Sequence, residues 1–440
     1  MAKMECITQS EIRLIGAICL NHIEHLDIKV VPNEHGRAKV YAIGNKEILE
    51  KIRRMDLNEP VEILVRDKVL FCGVVQNVNW YYEGMIMHLE LEIASLSVLL
   101  DCKKKKKSFQ NSKMTIGSII KNVIGLERSG EVGIYAEDKR IVSPVYQFQE
   151  TDWQFIRRMT AGLGSCVYPD VANRNISIRV GIKDETETVT LENDNYDYGV
   201  SGDFFSEEKR YGMLDKSFFL FYKIESYEDY DIGQKVMFRN RIMNILEKRM
   251  FMRGAELIFQ YKLGNEKSCF LNEYSNPLLS GMSISGKVLA TQNELLKIHL
   301  DIDEIQNEEE AYWYEWVPET GNVMYCMPQK GTRVQLYFPS EREDSAIAVS
   351  CIRENGASCS SMSNTNHKYF TNENGKQFYL KQSEIGFMNE SKEISLIEDD
   401  GAGMKITSNQ EINVISRQKI EWKANKIVLN TPVEIKMMRG

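Results

Sequence analysis

Apolar and polar residues alternate with a period of about two along much of the chain, which is typical of strands. Residues 61–65 and 85–93 show this alternation clearly. From residue 5 to about 100, such runs follow one another with one helical interruption, for which Asn45 is the predicted N-cap. The pattern predicts a barrel or curled sheet with one helical connection.

Two further helices are predicted before residue 170. One, near residues 115–125, collects its apolar residues on one face: Ile116, Ile119, Ile120 and Val123. The other, near 152–162, begins with the capping-box pair Thr151 and Gln154. Strand-like runs then continue to about residue 275, although the stretch from Met237 to Met252 is also compatible with a helix.

Between Gly281 and about Gly356 the pattern changes to short strands without a helix. Five are predicted, at 283–290, 295–302, 321–325, 333–338 and 346–352. They fit a small oligonucleotide/oligosaccharide-binding (OB) barrel, although a Greek-key or SH3-like barrel would have the same pattern. We therefore predict an OB domain at 281–356 and, from its Ser and Asn content, a linker at 357–366.

The region 367–440 repeats one polar-apolar-polar-apolar frame. The frame occurs at 377–380, 393–396, 411–414, 419–422 and 426–429. A ribbon of this kind has one apolar stripe and two unpaired edges, which three copies wrapped around an axis would cover. We predict an intertwined trimeric β-prism, with a plain β-sandwich or a two-chain β-helix as alternatives. The predicted trimer core is Ile394, Leu396, Ile412, Val414, Ile420, Trp422, Ile427 and Leu429.

The composition and net charge of the chain exclude some classes of function. The 440 residues are 43% hydrophobic and 27% charged, as in globular multidomain chains. A net charge of -8 argues against binding a phosphate backbone over a large surface. Nine scattered cysteines without a CxxC pair indicate reduced thiols, and the N-terminus lacks the pattern of a signal peptide. These features predict assembly in a cytoplasm.

The sequence contains few candidate catalytic, metal-binding or nucleic-acid-binding residues. His22 and His25 would lie on opposite faces of a strand, and no Gly-x-Ser-x-Gly or phosphate-binding loop occurs. The basic run 103–107 is predicted to be a solvated connection. The aromatic run 312–316 lies beside acidic residues 308–310, so we predict packing between the barrel and the region that precedes it rather than a single-stranded nucleic-acid site. The sequence predicts no enzyme, no cofactor, no metal and no nucleic-acid partner.

Two stretches resemble the hub-and-spike proteins of contractile injection systems, which include VgrG proteins and the phage late control protein D family. The first comprises Leu99–Leu100, Lys107–Gln110 and Thr115–Ile120, and is similar to the family's strand, "FQ" element and helix. The second, at 146–168, is the more specific. It contains the motif residues Glu150, Asp152, Phe155, Arg158 and Gly164.

The resemblance implies a hub of two tube-like β-barrel halves at 1–275, followed by the OB barrel and, at 367–440, the β-prism spike. It implies a homotrimer that binds a hexameric tail-tube protein and baseplate proteins, carries a PAAR-type tip protein at its C-terminal end, and allows effector cargo. Such a part would cap the tail tube and puncture a target envelope as the particle is delivered outward. The alternative is a tail-associated cell-wall hydrolase or glycan-binding module.

Overall fold

The computed structural model describes residues 6–56, 58–125, 130–183, 188–205, 215–271, 275–321, 326–352, 354, 359 and 363–437. The fold is mainly β, with 43% strand and 14% helix, as the sequence predicts. The chain divides into two compact units, Met1–Ile352 and Arg353–Gly440. The OB region therefore belongs to the same unit as the region that precedes it.

The N-terminal region contains six strands and one helix. They are β1 Ile12–Gly16, β2 Ile23–Val30, β3 Arg37–Gly44, α1 Lys46–Arg54, β4 Pro60–Val65, β5 Lys68–Glu83 and β6 Ile86–Ser95. The strand order is β1-β4-β5-β6-β3-β2. Reciprocal backbone hydrogen bonds of 2.9 and 2.8 Å between Leu14 and Leu20 bring β1 back beside the entrance to β2, which curls the sheet. As predicted, Asn45 caps α1, its Oδ1 accepting from the Ile48 N–H at 2.9 Å.

The next region contains both predicted helices. Its elements are β7 Lys105–Phe109, α2 Ile116–Gly125, β8 Glu131–Ile134, β9 Val145–Glu150, α3 Asp152–Gly162, β10 Val167–Pro169 and β11 Ser177–Val180. β7 and β9 form a two-stranded ribbon, and β10, β11 and β8 form a small sheet. The prediction of a solvated connection at 103–107 was wrong for Lys105 to Lys107, because β9 pairs with them and makes them a strand.

A second set of strands completes the large sheet. They are β12 Val189–Thr190, β13 Tyr196–Val200, β14 Leu220–Ser226, β15 Lys235–Phe238, β16 Arg241–Arg253 and β17 Glu256–Gly264. β16 pairs with β2, so that both halves join in one 12-stranded sheet. The helix considered for Met237 to Met252 is a hairpin instead. Its turn residues Arg239 and Asn240 have φ values of 50° and 61°, which suit a tight turn between strands.

A small barrel follows, with strands β18 Ser283–Gln292, β19 Leu295–Leu300, β20 Trp313–Glu315, β21 Arg333–Tyr337 and β22 Ile347–Ile352. The order is β20-β19-β18-β21-β22, and a parallel bridge from Trp316 to Ala348 closes the ring. This closed five-stranded connectivity is that of an OB fold. Of the strand predicted at 321–325, only Gly321 lies within the described residues, and the third barrel strand is β20.

The C-terminal unit contains a five-stranded meander. Its strands are β23 Lys368–Thr371, β24 Gln377–Leu380, β25 Glu384–Met388, β26 Ser395–Asp399 and β27 Gly403–Thr407. The strands predicted at 411–414, 419–422 and 426–429 do not pair with any other part of the described chain. A lone chain offers these segments no neighbouring strand.

Short 3-10 turns connect several of these elements. Within the described residues they are Gln9–Glu11, Leu96–Asp101, Lys216–Phe219, Glu266–Cys269, Pro277–Leu279 and Glu343–Ser345. None of the helices described in the structure has the length and apolar character needed to cross a membrane.

Candidate functional site: the hub–barrel junction and the spike face

The ribbon of β7 and β9 separates two apolar cores. Trp153 and Phe155 lie in the core around α2 and α3. Tyr146 and Phe148 of β9 instead lie in the core of the OB barrel, with Leu336 and Phe338. The motif strand is therefore a wall shared by the helical region and the barrel, which we call the hub–barrel junction.

A β-bulge at Gln149 gives β9 this double role. Gln149 has a left-handed φ of 52°. The pairing with β7 shifts at this point, so that Lys106 faces Phe148 while Lys105 faces Glu150. The extra residue in a β-bulge changes the direction in which the next side chain points. As a result, Phe148 enters the barrel core and Glu150 turns towards α3.

Arg158 of α3 is the central charge of the junction and is only 3% exposed. Its Nε and Nη2 donate to the two Glu150 carboxylate oxygens at 2.9 and 2.8 Å, and Nη2 also donates to the Tyr146 carbonyl at 2.8 Å. Its Nη1 lies 3.1 Å from Glu343 Oε1 in the barrel. The same Glu343 oxygen accepts from the Tyr146 N–H at 2.9 Å. One guanidinium thus connects α3, β9 and the barrel.

Burial controls the ionisation of this cluster. It raises the pKa of the Glu343 carboxyl, and the opposing effects of Arg158 and the Tyr146 N–H are smaller. Burial lowers the pKa of Arg158, but Glu343 and Glu150 together raise it by more, so the guanidinium remains charged. A buried charge that loses its partner is strongly destabilising. Loss of any one of these charged groups is therefore expected to destabilise the burial of the others.

Asp152 is the first residue of α3 and is buried. Its Oδ2 lies 2.5 Å from Lys105 Nζ, and its Oδ1 accepts from Gln147 Nε2 at 2.8 Å. A carboxylate at this position also interacts favourably with the helix dipole. The predicted capping box is present, since Thr151 and Gln154 exchange hydrogen bonds of 3.2 and 3.1 Å. The start of α3 is therefore fixed to both ribbon strands.

Phe155 and Gly164 fix the rest of α3. Phe155 is fully buried and stacks on Phe109, with ring centroids 5.7 Å apart. Gly164 has a φ of 64°, and its N–H donates to the Ala161 carbonyl at 2.8 Å just after the helix ends. No atom lies within 4 Å of a Cβ built on Gly164, so its backbone conformation accounts for the glycine. Glu150, Asp152, Phe155 and Arg158 thus line the junction, and Gly164 follows the end of the helix that carries three of them.

The barrel completes the junction with polar groups of its own. The Tyr146 and Tyr314 hydroxyls lie 2.8 Å apart. Asp303 accepts from the Ser108 N–H at 2.7 Å and from its hydroxyl at 2.5 Å. Gln110 Nε2 donates to the Ile298 carbonyl at 3.2 Å. The "FQ" stretch of β7 is therefore bound directly to the barrel.

The aromatic run of the barrel packs against the hub through the Tyr314 side chain, and Tyr312 adds a backbone contact. Tyr314 meets Tyr146, and the Tyr312 N–H donates to Gln110 Oε1 at 3.3 Å. Trp316 instead lies in the barrel core. Glu343 and Asp303 were not identified from sequence, because each is one acidic residue in a polar stretch far from the motif.

The spike residues have a different environment. A row of paired apolar residues crosses all five strands of the C-terminal sheet, which we call the spike face: Phe370, Phe378, Phe387, Leu396 and Ile406. Behind the sheet, the Tyr379 ring covers Gly386, where a Cβ would lie 2.3 Å from the ring. The eight predicted core residues are between 39% and 64% exposed. One chain therefore leaves its whole apolar stripe uncovered.

Ser97, His35 and Asp101 have the residue types of a hydrolytic triad, which sequence reasoning missed because His35 is distant in the chain. Ser97 Oγ lies 2.9 Å from His35 Nδ1, and His35 Nε2 lies 3.6 Å from Asp101 Oδ2. However, Ser97 is 3% exposed, and the His35 ring stacks on Trp153 at 4.3 Å. Burial lowers the pKa of His35 to about 4. Since a nucleophile must reach its substrate, this cluster is better explained as support for α3, whose Thr151 hydroxyl donates to Asp101.

His22 and His25 do not form a ligand pair with neighbouring acids in the structure. Across the described ranges, no group of three or more His, Cys, Asp or Glu side chains is arranged to hold a metal ion.

Solved structures share this fold. The E. coli c3393 protein, a type VI secretion component with structural similarity to the T4 tail proteins gp27 and gp5, aligns with a TM-score of 0.54 and 13% identity, covering 76% of this chain and 97% of that chain. The half-lidded Francisella PdpA–VgrG complex aligns with a TM-score of 0.56 and 10% identity, covering 92% and 89%. No protein-family model and no curated protein matches the sequence significantly. The chain therefore has the hub fold of VgrG-like and gp27/gp5-like tail proteins, as its sequence resemblance predicts.

Proposed function

We propose that the chain is the hub and spike of a contractile injection system, a non-enzymatic part that assembles as a homotrimer. It caps a hexameric tail tube and punctures the target envelope on sheath contraction. The observation that carries this proposal is the uncovered apolar stripe of the C-terminal unit. Exposed apolar surface on this scale indicates a partner surface.

The simplest partner for this apolar stripe is the same stripe on two further copies of the chain. Beyond β27, the sequence continues with regularly spaced apolar residues, Ile412, Ile420 and Ile427. Residues 408–437 form no ladder within the described chain, so their backbone groups are free to pair between chains. Wrapping three copies around one axis would bury the stripes and pair the edges together.

The hub offers a second surface for the same assembly. Within the described chain, β13 pairs only with β14, and residues 76–83 of β5 pair only with β6. Between these two free edges, eight antiparallel strands run in the order β5-β6-β3-β2-β16-β17-β14-β13. Because eight is even, β13 of one copy would lie antiparallel to β5 of the next. Three copies would thus close one continuous barrel.

Side chains at these edges support such a joint. Trp80 and Tyr82 of β5 and Tyr196 and Tyr198 of β13 are exposed aromatics. Aromatic pairs across neighbouring strands stabilise sheets. Joining the edges would cover these rings and remove two edges that otherwise invite aggregation.

The hub–barrel junction suits a part that transmits force. The attachment of the OB barrel to the hub includes the buried ion pair of Arg158 with Glu343, and Glu150 binds the same guanidinium. Buried, mutually dependent charges resist gradual sliding, because any displacement leaves a charge unpaired.

The proposal includes further partners: baseplate proteins around the hub, a PAAR-type tip protein at the C-terminal end, and effector cargo. Assembly would take place in the bacterial cytoplasm, before outward delivery within the particle. Electron microscopy of the purified full chain tests the architecture. We expect a three-fold ring continuous with a narrow rod. Separate single-chain particles without a rod would contradict the proposal.

A further inference from the structure

Along β14 and β17, side chains alternate between the apolar core and the opposite face of the large sheet, which we call the open face. Ile224, Tyr261 and Leu263 lie in the core. Four cations of the open face each lie within 3.4 Å of a carboxylate: Lys29 with Glu247, Lys39 with Glu92, Arg249 with Asp27, and Arg253 with Glu225. These cross-strand pairs balance the charges concerned without any ligand.

Lys223 and Lys262, which alternate with the core residues, depart from this pattern. They are direct partners in the ladder between β14 and β17. Within the described residues, no ion pair joins either ammonium group to a carboxylate. Like charges directly opposite each other are destabilising in a sheet. These two residues, which we call the lysine pair, therefore form a local excess of positive charge that no ion pair of the described chain neutralises.

Phe221 holds the two ammonium groups in place. Lys262 Nζ lies 4.9 Å and Lys223 Nζ lies 5.7 Å from the centroid of its ring. The ring lies over Gly199 of β13, where an added Cβ would be only 2.8 Å from Cζ. A cation–π contact orients an ammonium group but leaves it N–H donors for an acceptor. Two cations are thus fixed over one ring, with donors available for an anion.

A cavity of about 610 Å³ adjoins the lysine pair. Lys223 lines it together with Asn195 and Gln260. The Glu225 carboxylate in its wall is already bound by the Arg253 guanidinium, through hydrogen bonds of 2.8 and 2.7 Å. Side-chain amides offer both a donor and an acceptor, which suits the backbone amides of an extended peptide. The volume lies within the range of ligand-binding cavities.

We propose that the lysine pair and the adjoining cavity bind an acidic polypeptide segment, with an Asp or Glu carboxylate between the two ammonium groups. Charge complementarity selects this ligand. On the flanking strands, Asp197 lies opposite Lys223 and Glu247 lies opposite Lys262. These acids would repel the continuous phosphates of a nucleic acid, whereas a peptide can place neutral groups beside them. The site lies within one chain; that its ligand is effector cargo rests on the proposed function.

Fluorescence anisotropy of the full chain with a labelled peptide of alternating Glu and Gly residues tests the site. We expect binding that weakens about tenfold in Lys262→Gln, because the variant loses a charge-assisted hydrogen bond. A labelled peptide of alternating Lys and Gly residues should not bind. No binding to the parent, equal affinity of parent and variant, or tighter binding of a labelled oligothymidylate would overturn the proposal.

Lys39→Gln is the matched control, because Lys39 lies on the same open face but its ammonium group is bound by Glu92 at 2.7 Å. We expect this variant to keep the affinity of the parent. A loss equal to that of Lys262→Gln would show that only the overall charge matters, and would contradict the site.

Thermal melts separate binding from folding. Removing one of two opposed cations should leave the melting temperature of Lys262→Gln equal to or above that of the parent. A lower melting temperature would show that Lys262 serves the fold instead. Because a single chain carries the whole site, a monomer can bind the peptide, and a particle-mass measurement on the same sample distinguishes failure of this proposal from failure of the trimer.

Discussion

The hub–barrel junction and the spike face are built on opposite principles. At the junction, one chain supplies every partner: Arg158 meets Glu150 and Glu343, and Tyr146 meets Tyr314. At the spike face, the row from Phe370 to Ile406 stays exposed, apart from the half-buried Phe378, although its strands are paired. The first surface thus completes the fold of one chain, whereas the proposed function assigns the covering of the second to other copies.

The largest effect is expected at the spike stripe. Ile420→Asp or Trp422→Asp would place three charges around the axis without counter-charges, which costs several kcal/mol for each ion. We expect dissociation of the trimer, measured as a fall in particle mass. Val428→Asp is the matched control, since Val428 lies on the other face of the same frame and should leave the mass unchanged.

A smaller but still large effect is expected at the junction. Arg158→Met would leave Glu150 and Glu343 buried without their cation, and we expect a loss of about 3–5 kcal/mol in unfolding free energy. Denaturant melts measure it. Arg174→Met is the control, because Arg174 is exposed and its ion pair with Glu62 should contribute much less to stability than a buried pair. If Arg158→Met dissociated the trimer but left the unfolding free energy unchanged, the roles assigned to the junction and the spike face would have to be exchanged.

The free hub edges provide a third test. Amide hydrogens of residues 76–83 that are free in one chain should become protected in the trimer, because β13 of a neighbour bonds to them. Hydrogen exchange of the parent can be compared with Ile420→Asp at equal chain concentration. Equal protection in the two proteins would mean that the hub edges do not join.

The smallest effect concerns pH. The folded pKa of Glu343 lies above its ordinary value of 4.5, so its contribution to stability is full below that value and is lost as pH rises through the folded pKa. Glu343→Gln, which retains an acceptor for the Tyr146 N–H, should reduce the decline of stability between pH 4.5 and 7. Asp303, whose pKa burial also raises, supplies part of the remaining slope. An unchanged slope in the variant would show that Glu343 is not the titrating group.

The sequence alone predicted those elements that are stabilised by contacts between residues close together in the chain. The Asn45 cap, the capping box at Thr151 and the helical spacing of α2 all predict elements that the structure contains. Glu150, Asp152, Phe155 and Arg158 of the motif also lie together at the junction. The contacts of Arg158 with Glu343 and of Ser108 with Asp303 could not be predicted, because they depend on how β9 enters the barrel core.

Other differences arise from pairing between distant segments. The turn at Arg239 and Asn240 converts a helix-compatible stretch into a hairpin, because β2 and β17 provide neighbours for β16. Within the described residues of one chain, the strands predicted beyond residue 410 have no such neighbours. The periodicity of the sequence predicts an apolar stripe. Whether these residues also form a backbone hydrogen-bond ladder depends on which strands are available to pair with them.

Multi-angle light scattering of the purified full chain tests the central claim most directly. The account predicts a single species with three times the 50.8 kDa mass of the chain. A monodisperse species of 50.8 kDa, with the C-terminal unit intact, would contradict it.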